Sequence, residues 1–301
     1  MISISAQEAF AAYEAVRHRL PDAQPRTSVY RQISTLEEIS ADFDVFLLDA
    51  FGVLNIGETA IPGVRERVEA FRGAGKRVLV VSNAASVPKS ALVKKYSRLG
   101  FDFPEDDIIT SRATMASFME DVEGIAWGVM QGDDPRMDDF ADLSTTPLFD
   151  DPTAYREAGG FLLIGSGTWT EARQALLEDA LREKPRRVLV ANPDIVAPRE
   201  VGFSAEPGYF AHRLADKTGV TPEFFGKPFA NIYDLAYTHM GTVDRSRVLM
   251  VGDSLHTDIL GAQTAGVASA LVSQFGFFAG EDVSSAISTS GIVPDYVVAR
   301  P

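Results

Sequence analysis

Three apolar runs in this chain end abruptly at polar residues, within residues 45–49, 77–83 and 247–253. Short, continuous runs rich in β-branched side chains are typical of strands buried on both faces of a parallel sheet. Ligands of such sheets bind just beyond the carboxyl ends of the strands. We therefore expect the polar residues at these ends to share one crevice. These residues are Asp49, Ser82, Asn83 and Asp253.

Helical patterns alternate with the predicted strands. Pro62 and Gly75 bracket a helical spacing over residues 62–74, and a second helix is predicted over residues 89–99, where Gly100 closes it. Alternating strands and helices indicate βαβ units around a parallel sheet. The predicted fold class is therefore α/β.

The chain is long enough for two domains. Residues 119–221 contain their own apolar runs and helical stretches, and they match a typical domain in size. We expect them to form a second α/β domain inserted into the first, which comprises residues 42–118 and 222–301. Residues 1–41 are predicted to form an N-terminal helical extension, with Ser5 as the N-cap of its helix, and a linker.

Composition excludes several classes of function. The formal charge of −14 over 301 residues would repel nucleic acid and anionic membranes, so neither is an expected partner. The absence of Cys excludes disulfides, thiol nucleophiles and cysteine-ligated zinc. The first residues resemble no secretory signal, and no apolar stretch is long enough to span a membrane. The expected location is cytoplasmic.

Carboxylates at the strand ends could hold a metal or attack a substrate. Asp49 could be a nucleophile, a metal ligand or both, or it could merely cap the turn that follows. Asp253 and Asp258 surround a loop that enters a helix, an arrangement of oxygen ligands that Mg²⁺ prefers. The alternative is a turn residue followed by an acid in the first turn of a helix.

Other polar residues could bind phosphate. Ser82 and Asn83 precede a helix and could present a hydroxyl, an amide and backbone N–H groups to phosphate oxygens, or they could form a plain loop with a helix cap. Lys227, between Gly226 and Pro228, could offset phosphate charge or be a solvated surface lysine. The order of these motifs along the chain favours a phosphate site over coincidence.

Four motifs together resemble those of the haloacid dehalogenase-like (HAD) superfamily. They are Asp49-x-Phe51-Gly52-Val53, Ser82-Asn83, Gly226-Lys227-Pro228 and Gly252-Asp253-x4-Asp258. The stretches at residues 191–208 and 257–266 are similar to class IIA, which includes nitrophenylphosphatase-like and sugar-phosphatase-like proteins. The resemblance implies a Rossmann-like parallel-sheet core with an inserted α/β C2 cap domain. The cap position agrees, because only the segment between Ser82 and Lys227 is long enough to hold a domain.

The resemblance also implies an activity, that of a Mg²⁺-dependent phosphatase acting on a small phosphorylated metabolite. Asp49 would form an aspartyl-phosphate. The implied Mg²⁺ ligands are Asp49, the backbone carbonyl of Phe51 and Asp253, with Asp258 in support. Ser82 and Lys227 would bind the transferring phosphoryl group. Substrate placement is expected of Asn83, Asn192 and Asp194, and a homodimer through the cap is a further expectation.

Phe51 departs from the family pattern. Phosphatases of this superfamily carry a second Asp at that position as the general acid, and phenylalanine cannot transfer a proton. One alternative is a catalytically weak protein that binds a phosphorylated ligand and Mg²⁺ as a sensor. Another is a dehalogenase, which also has an aromatic residue there. The dehalogenase alternative is opposed by the retained metal motif and by the cap position.

Overall fold

The described part of the chain comprises residues 3–24, 29–119, 124–132, 134–198 and 202–301 of a computed structural model. Residues 25–28 of the predicted linker lie outside it. The strands of the described residues are β1 (Ser3–Ile4), β2 (Arg31–Thr35), β3 (Val45–Leu48), β4 (Asn55–Ile56), β5 (Thr59–Ala60), β6 (Arg77–Ser82), β7 (Ile108–Thr110), β8 (Trp127–Met130), β9 (Thr145–Pro147), β10 (Gly160–Leu163), β11 (Val188–Val190), β12 (Val196–Pro198), β13 (Phe203–Ala205), β14 (Glu223–Phe224), β15 (Val248–Gly252), β16 (Ala268–Val272) and β17 (Tyr296–Arg300).

Helices connect most of these strands. The α-helices of the described residues are α1 (Ala6–Ala15), α2 (Val64–Gly73), α3 (Lys89–Arg98), α4 (Ser111–Met119), α5 (Pro152–Glu157), α6 (Glu171–Glu183), α7 (Pro207–Thr218), α8 (Ala230–Met240), α9 (Leu260–Ala265) and α10 (Val283–Ser290). No helix in this part of the chain combines the length and the apolar character needed to cross a bilayer.

The larger sheet is parallel throughout, with strand order β2-β17-β16-β15-β3-β6-β7. Its central strands β15, β3 and β6 are neighbours, and all four residues of β3 are buried. Apolar clusters cover both faces, because Phe46 packs on one side and Leu47 on the other. This arrangement confirms the predicted parallel α/β core.

A second parallel sheet lies in the inserted segment, with strand order β14-β11-β10-β8-β9. Helix α6 and helix α7 pack on it through an apolar cluster of their own that includes Leu177 and Leu214. The sheet continues to Phe224, beyond residue 221, the predicted end of this domain. The inserted α/β unit thus has its own core.

The N-terminal region contains the expected helix, α1, and in addition two strands that were not expected. Residues 31–35 form β2, which adds an edge strand to the core sheet beside β17. Residues 3–4 form β1, which pairs antiparallel with β13 of the inserted domain. In this small sheet β13 lies between β1 and β12. The predicted N-cap is confirmed: the Ser5 hydroxyl accepts the Glu8 N–H, and the Glu8 carboxylate accepts the Ser5 N–H. The N-terminal region therefore contacts both domains.

Candidate active site

The strand-end residues meet in one cleft between the two domains, with a cavity volume of about 110 Å³. Asp49 follows β3, Ser82 ends β6 and Asp253 follows β15, so three adjacent strands bring these side chains together. The predicted site residues that line the cleft are Asp49, Phe51, Ser82, Asn83, Asn192, Asp194, Lys227 and Asp253. Asp258 lies beneath the cleft rather than in its lining.

Three carboxylates crowd the floor of the cleft. Asp49, Asp253 and Asp258 each have an oxygen within 4.8 Å of the other two. Lys227 is the single Lys or Arg that lines the cleft in the described residues, and its Nζ lies 2.6 Å from Asp49 Oδ1 and 2.7 Å from Asp258 Oδ1. One ammonium group thus faces three carboxylates, and such a set of hard oxygen donors suits a divalent cation.

The pKa values of these groups reflect the crowding. Burial raises the pKa of Asp49 to about 6, although the ammonium of Lys227 opposes this rise. Burial and the carboxylates of Asp258 and Asp49 raise the pKa of Asp253 well above its ordinary value. A bound cation would offset the repulsion that raises the pKa of Asp253.

Two glycines leave room for the Asp253 carboxylate. Gly52 and Gly276 have φ angles of 72° and 69°. A Cβ atom built at Gly52 would lie 2.4 Å from Asp253 Oδ2, and one built at Gly276 would lie 1.8 Å from the same oxygen. The N–H of Phe277 donates to that oxygen at 2.8 Å. The backbone around Asp253 therefore has no space for a side chain, and it fixes the direction of the carboxylate.

Asp258 anchors the loop that carries Asp253. It lies in a π-helical turn over Leu255–Ile259. Its Oδ2 accepts the N–H groups of Asp253 at 3.1 Å and Ser254 at 3.0 Å, while Oδ1 accepts Lys227. Both oxygens are engaged by the protein, so Asp258 holds the loop and the lysine in register.

Asn83 connects Lys227 to the inserted domain. Its Oδ1 accepts the Lys227 N–H at 2.7 Å, and its Nδ2 donates to the Lys227 carbonyl at 2.9 Å and to Asp194 Oδ1 at 2.7 Å. Asn192 in turn accepts the Asp194 N–H at 2.9 Å and donates to Glu206 Oε2 at 3.2 Å. The amides of Asn83 and Asn192 thus position Lys227 and Asp194.

The carboxyl group of Asp194 is protonated, and therefore uncharged, near neutral pH. Burial raises its pKa to about 8, although Lys227 and the hydrogen bond from Asn83 oppose this rise. Asp194 lines the cleft. A neutral carboxyl group near pH 7 can donate a hydrogen bond to a ligand.

Phe51 borders the cleft beside the floor. Its ring is half-buried, and Lys95 Nζ lies 5.0 Å from the ring centre. Lys95 also pairs with Glu58 at 3.1 Å. The position therefore contributes an apolar surface and its backbone, but no group that exchanges a proton.

Sequence reasoning missed some residues of the cleft. Tyr13 and Phe277 line it, although nothing in their local sequence points to a site. Glu206 also lines it, and its Glu206-Pro207-Gly208 motif was the available signal. His256, in the loop that carries Asp253, is buried with its Nε2 2.6 Å from Glu14 Oε1.

Family models match two parts of the chain that carry most of the larger sheet. A model described as haloacid dehalogenase-like hydrolase matches residues 46–141, and a HAD-hydrolase-like model matches residues 224–300. Together they match more than half of the chain and include Asp49, Lys227 and Asp253.

Individual proteins are similar over most of their length. An acid sugar phosphatase of Staphylococcus haemolyticus is 27% identical over 222 residues, which are 74% of this chain and 82% of the relative. Human glycerol-3-phosphate phosphatase is 28% identical over 303 residues, 87% of this chain and 90% of the relative. A crystal structure of a possible sugar phosphatase from Cytophaga hutchinsonii superposes with a TM-score of 0.77 at 24% identity, over 90% of this chain and 98% of that one.

Proposed function

Because the chain belongs to the haloacid dehalogenase-like hydrolases, we propose that it is a phosphatase that removes the phosphoryl group from a small phosphorylated metabolite, with Asp49 as nucleophile and Mg²⁺ as cofactor. The observation that carries this proposal is the ammonium of Lys227 held between Asp49 and Asp258, beside the carboxylate of Asp253. Phosphoryl transfer uses a nucleophile, a fixed positive charge and a carboxylate that can hold a metal ion, and this cleft contains a candidate for each role.

In the proposed reaction, an Asp49 oxygen attacks phosphorus while the bond from phosphorus to the leaving oxygen breaks. With a pKa of about 6, Asp49 is mainly ionised at neutral pH. Lys227 offsets the charge on the phosphoryl oxygens, and the Ser82 hydroxyl binds one of them. Water then attacks the phosphorus of the aspartyl-phosphate, and the bond between phosphorus and the Asp49 oxygen breaks, which returns Asp49 as a carboxylate and releases phosphate.

Asp49, Asp253 and the carbonyl of Phe51 would hold the Mg²⁺, with Asp258 in support. When bound, the ion supplies positive charge against the phosphoryl oxygens and the carboxylates. The crowding of Asp49, Asp253 and Asp258 around one lysine supports this assignment. Mg²⁺ should therefore raise the melting temperature of the protein, and Asp253→Asn should abolish that rise.

The inserted domain is proposed to act as a C2 cap. It supplies Asn192, Asp194 and Glu206 to the cleft, opposite the carboxylates of the larger sheet. Movement of such a domain would admit substrate and then exclude water during the reaction. Its residues would contact the leaving group, since Asp49, Ser82 and Lys227 surround the phosphoryl position.

A second candidate function is a sensor that binds a phosphorylated ligand with little turnover. Phe51 favours it, because the leaving oxygen receives no proton from that position. Loss of general acid catalysis costs about 10²–10⁴ in rate, or roughly 3–5 kcal/mol of barrier. A dehalogenase would not need the carboxylate cluster, which disfavours that alternative.

The test is release of phosphate from an aryl phosphate, whose leaving group needs little protonation. We expect turnover that requires Mg²⁺ and disappears in Asp49→Asn. Asp44→Asn is the matched control, because Asp44 precedes the same strand but pairs with Arg247 at the surface. Phosphate and Mg²⁺ binding without turnover would instead support the sensor, and turnover that survives chelation would contradict the metal assignment.

A further inference from the structure

The N-terminal segment, defined as residues 3–20, joins the two domains at the mouth of the cleft. On the side of the inserted domain, β1 pairs with β13, and Arg19 forms an ion pair with Asp216 of α7 at 2.5 Å. On the side of the larger sheet, α1 lies against the loop that carries Asp253 and Asp258, through contacts to His256. The segment therefore bridges the two domains, and its Tyr13 lines the cleft.

Tyr13 is the residue through which α1 reaches the cleft. Its ring stacks on His256 with centroids 4.8 Å apart and planes 8° apart, and it meets Phe277 edge-on at 6.4 Å. Glu14 holds His256 from the adjacent position, with 2.6 Å between Oε1 and Nε2. These contacts fix the tyrosine ring, which is only 3% exposed.

The Tyr13 hydroxyl has a proton to offer. It accepts the N–H of Ile195, in the loop of the inserted domain, at 3.0 Å. Within the described residues the structure provides no acceptor for its own hydrogen. A buried O–H group without an acceptor costs free energy, and a ligand oxygen in the cleft would remove that cost. Burial raises the pKa of Tyr13 well above its ordinary value, so the hydroxyl stays protonated.

The residues around Tyr13 indicate what kind of ligand oxygen would accept the hydrogen bond from its hydroxyl. Tyr13 is bonded through the N–H of Ile195 to the loop of Asn192 and Asp194, on the inserted-domain side of the cleft. Lys227 is the one basic side chain lining the cleft in the described ranges, and it is already paired with two carboxylates. Within the described residues, an anionic leaving group would find no unpaired cation in the cleft. A hydroxylated, uncharged group would find several hydrogen-bonding partners.

We infer that Tyr13 is a specificity-determining residue, whose hydroxyl donates a hydrogen bond to a hydroxyl oxygen of an uncharged leaving group. The inference rests on the proposed phosphatase function, since it describes the part of the substrate that departs from phosphorus. It assigns the N-terminal segment, which lies outside both family-model matches, to the substrate site.

The test compares Tyr13→Phe with the wild type on glycerol phosphate and propyl phosphate. Both are alkyl esters, so the missing acid at Phe51 slows both, but only glycerol offers hydroxyl oxygens. We expect kcat/KM for glycerol phosphate to fall about threefold to tenfold, mainly through KM, the loss typical of one uncharged hydrogen bond. The value for propyl phosphate should stay within twofold of wild type.

Two further variants separate contact from packing. Tyr30→Phe removes a hydroxyl that lies 3.0 Å from Ser284 Oγ, in the same region of the protein. It should leave kcat/KM unchanged for both esters. Phe10→Leu loosens the contact of α1 with His256 but keeps the Tyr13 hydroxyl. It should lower kcat/KM for both esters by the same factor.

The outcomes are distinct for the two proposals. If Tyr13→Phe lowers kcat/KM equally for both esters, or for neither, the role of the hydroxyl is overturned. The proposed phosphatase function would be unaffected by that result. If the wild type hydrolyses aryl phosphates but prefers an anionic ester such as phosphoglycolate over glycerol phosphate, the assignment of an uncharged leaving group is wrong. If the wild type hydrolyses no ester, the proposed function fails and this inference fails with it.

Discussion

Phe51 places an aromatic ring where the proposed reaction would need a proton donor for the leaving group, and the structure gives that ring a cationic neighbour, Lys95. Lys95 Nζ lies 5.0 Å from the ring centre, and Phe51 itself lines the cleft. A cation over a ring contributes packing and a modest electrostatic attraction, but it cannot supply general acid catalysis from that position. The consequence for the proposed reaction is sensitivity to the basicity of the leaving oxygen.

Phe51 should make hydrolysis depend strongly on the leaving group. Without an acid, the barrier rises with the pKa of the departing alcohol, so aryl and acyl phosphates should be cleaved far faster than sugar or glycerol phosphates. Phe51→Asp should raise alkyl-ester turnover and flatten the dependence, although a newly buried carboxylate could cost stability. The measurement is kcat/KM across phosphate esters of graded leaving-group pKa.

The control for that series is Phe51→Leu, which stays apolar and should keep the steep dependence. A flat dependence in the wild type would show that another residue donates the proton. Asp194 is the candidate, because it lines the same cleft with a raised pKa.

Asp194 should also make stability depend on pH. Its pKa is about 8 in the folded protein and near 4 in an unfolded chain, so between these values the folded state holds a proton that the unfolded state lacks. Its contribution to stability is therefore fully present below about pH 4 and is lost as pH rises toward 8. Asp194→Asn keeps an oxygen for Asn83 but has no such proton.

The melting temperature of wild type minus that of Asp194→Asn should therefore fall as pH rises from 4 to 8, without added metal. Asp150→Asn is the control: a hydrogen bond from Arg173 lowers the pKa of Asp150, so its contribution changes only below this pH range, and the corresponding difference should stay nearly constant from pH 4 to 8. If the melting temperatures of wild type and Asp194→Asn change in parallel with pH across this range, the raised pKa of Asp194 is refuted.

At the scale of elements, the turn that follows Gln274 shapes the site as much as any strand. It brings Gly276 against Asp253 and directs the Phe277 N–H to the same carboxylate. Such a turn requires a left-handed φ and no side chain at one position. Neither requirement is visible in a sequence until the partner carboxylate is known.

Gly276→Ala should weaken Mg²⁺ binding about 10- to 100-fold, the usual effect of disturbing the groups that orient a ligand. The added Cβ would lie 1.8 Å from Asp253 Oδ2, so the carboxylate must turn away. Gly280→Ala is the matched control: its φ of 82° brings the same backbone strain, but no atom lies within 4 Å of the new Cβ. Titration of the melting temperature with Mg²⁺ measures the effect, and equal losses in both variants would assign it to strain alone.

At the scale of the whole molecule, the sequence predicted the α/β core and the meeting of residues at strand ends because both follow from local patterns. Buried parallel strands are apolar over their whole length, and their carboxyl ends lie at one edge. The polar edge strand β2 lacks that pattern, since only Ile33 of its five residues is buried. The contact of Tyr13 with Ile195 and His256 joins distant parts of the chain, so no local pattern could reveal it. Association through the cap stays a prediction.

The N-terminal segment should couple the motions of the two domains. Glu14 bonds His256 of the larger domain, while β1 and Tyr13 of the same segment bond the inserted domain. A hydrogen bond to a charged group contributes about 1.5–3 kcal/mol, so Glu14→Ala should populate an undocked segment at least tenfold more often. Amide hydrogen exchange should then accelerate both in Leu255–Ile259 and in β13, although the substitution touches only the first. Glu37→Ala, which breaks a surface pair with Arg67, should accelerate neither. Faster exchange confined to Leu255–Ile259 would mean that the segment is docked independently on each domain and transmits nothing between them.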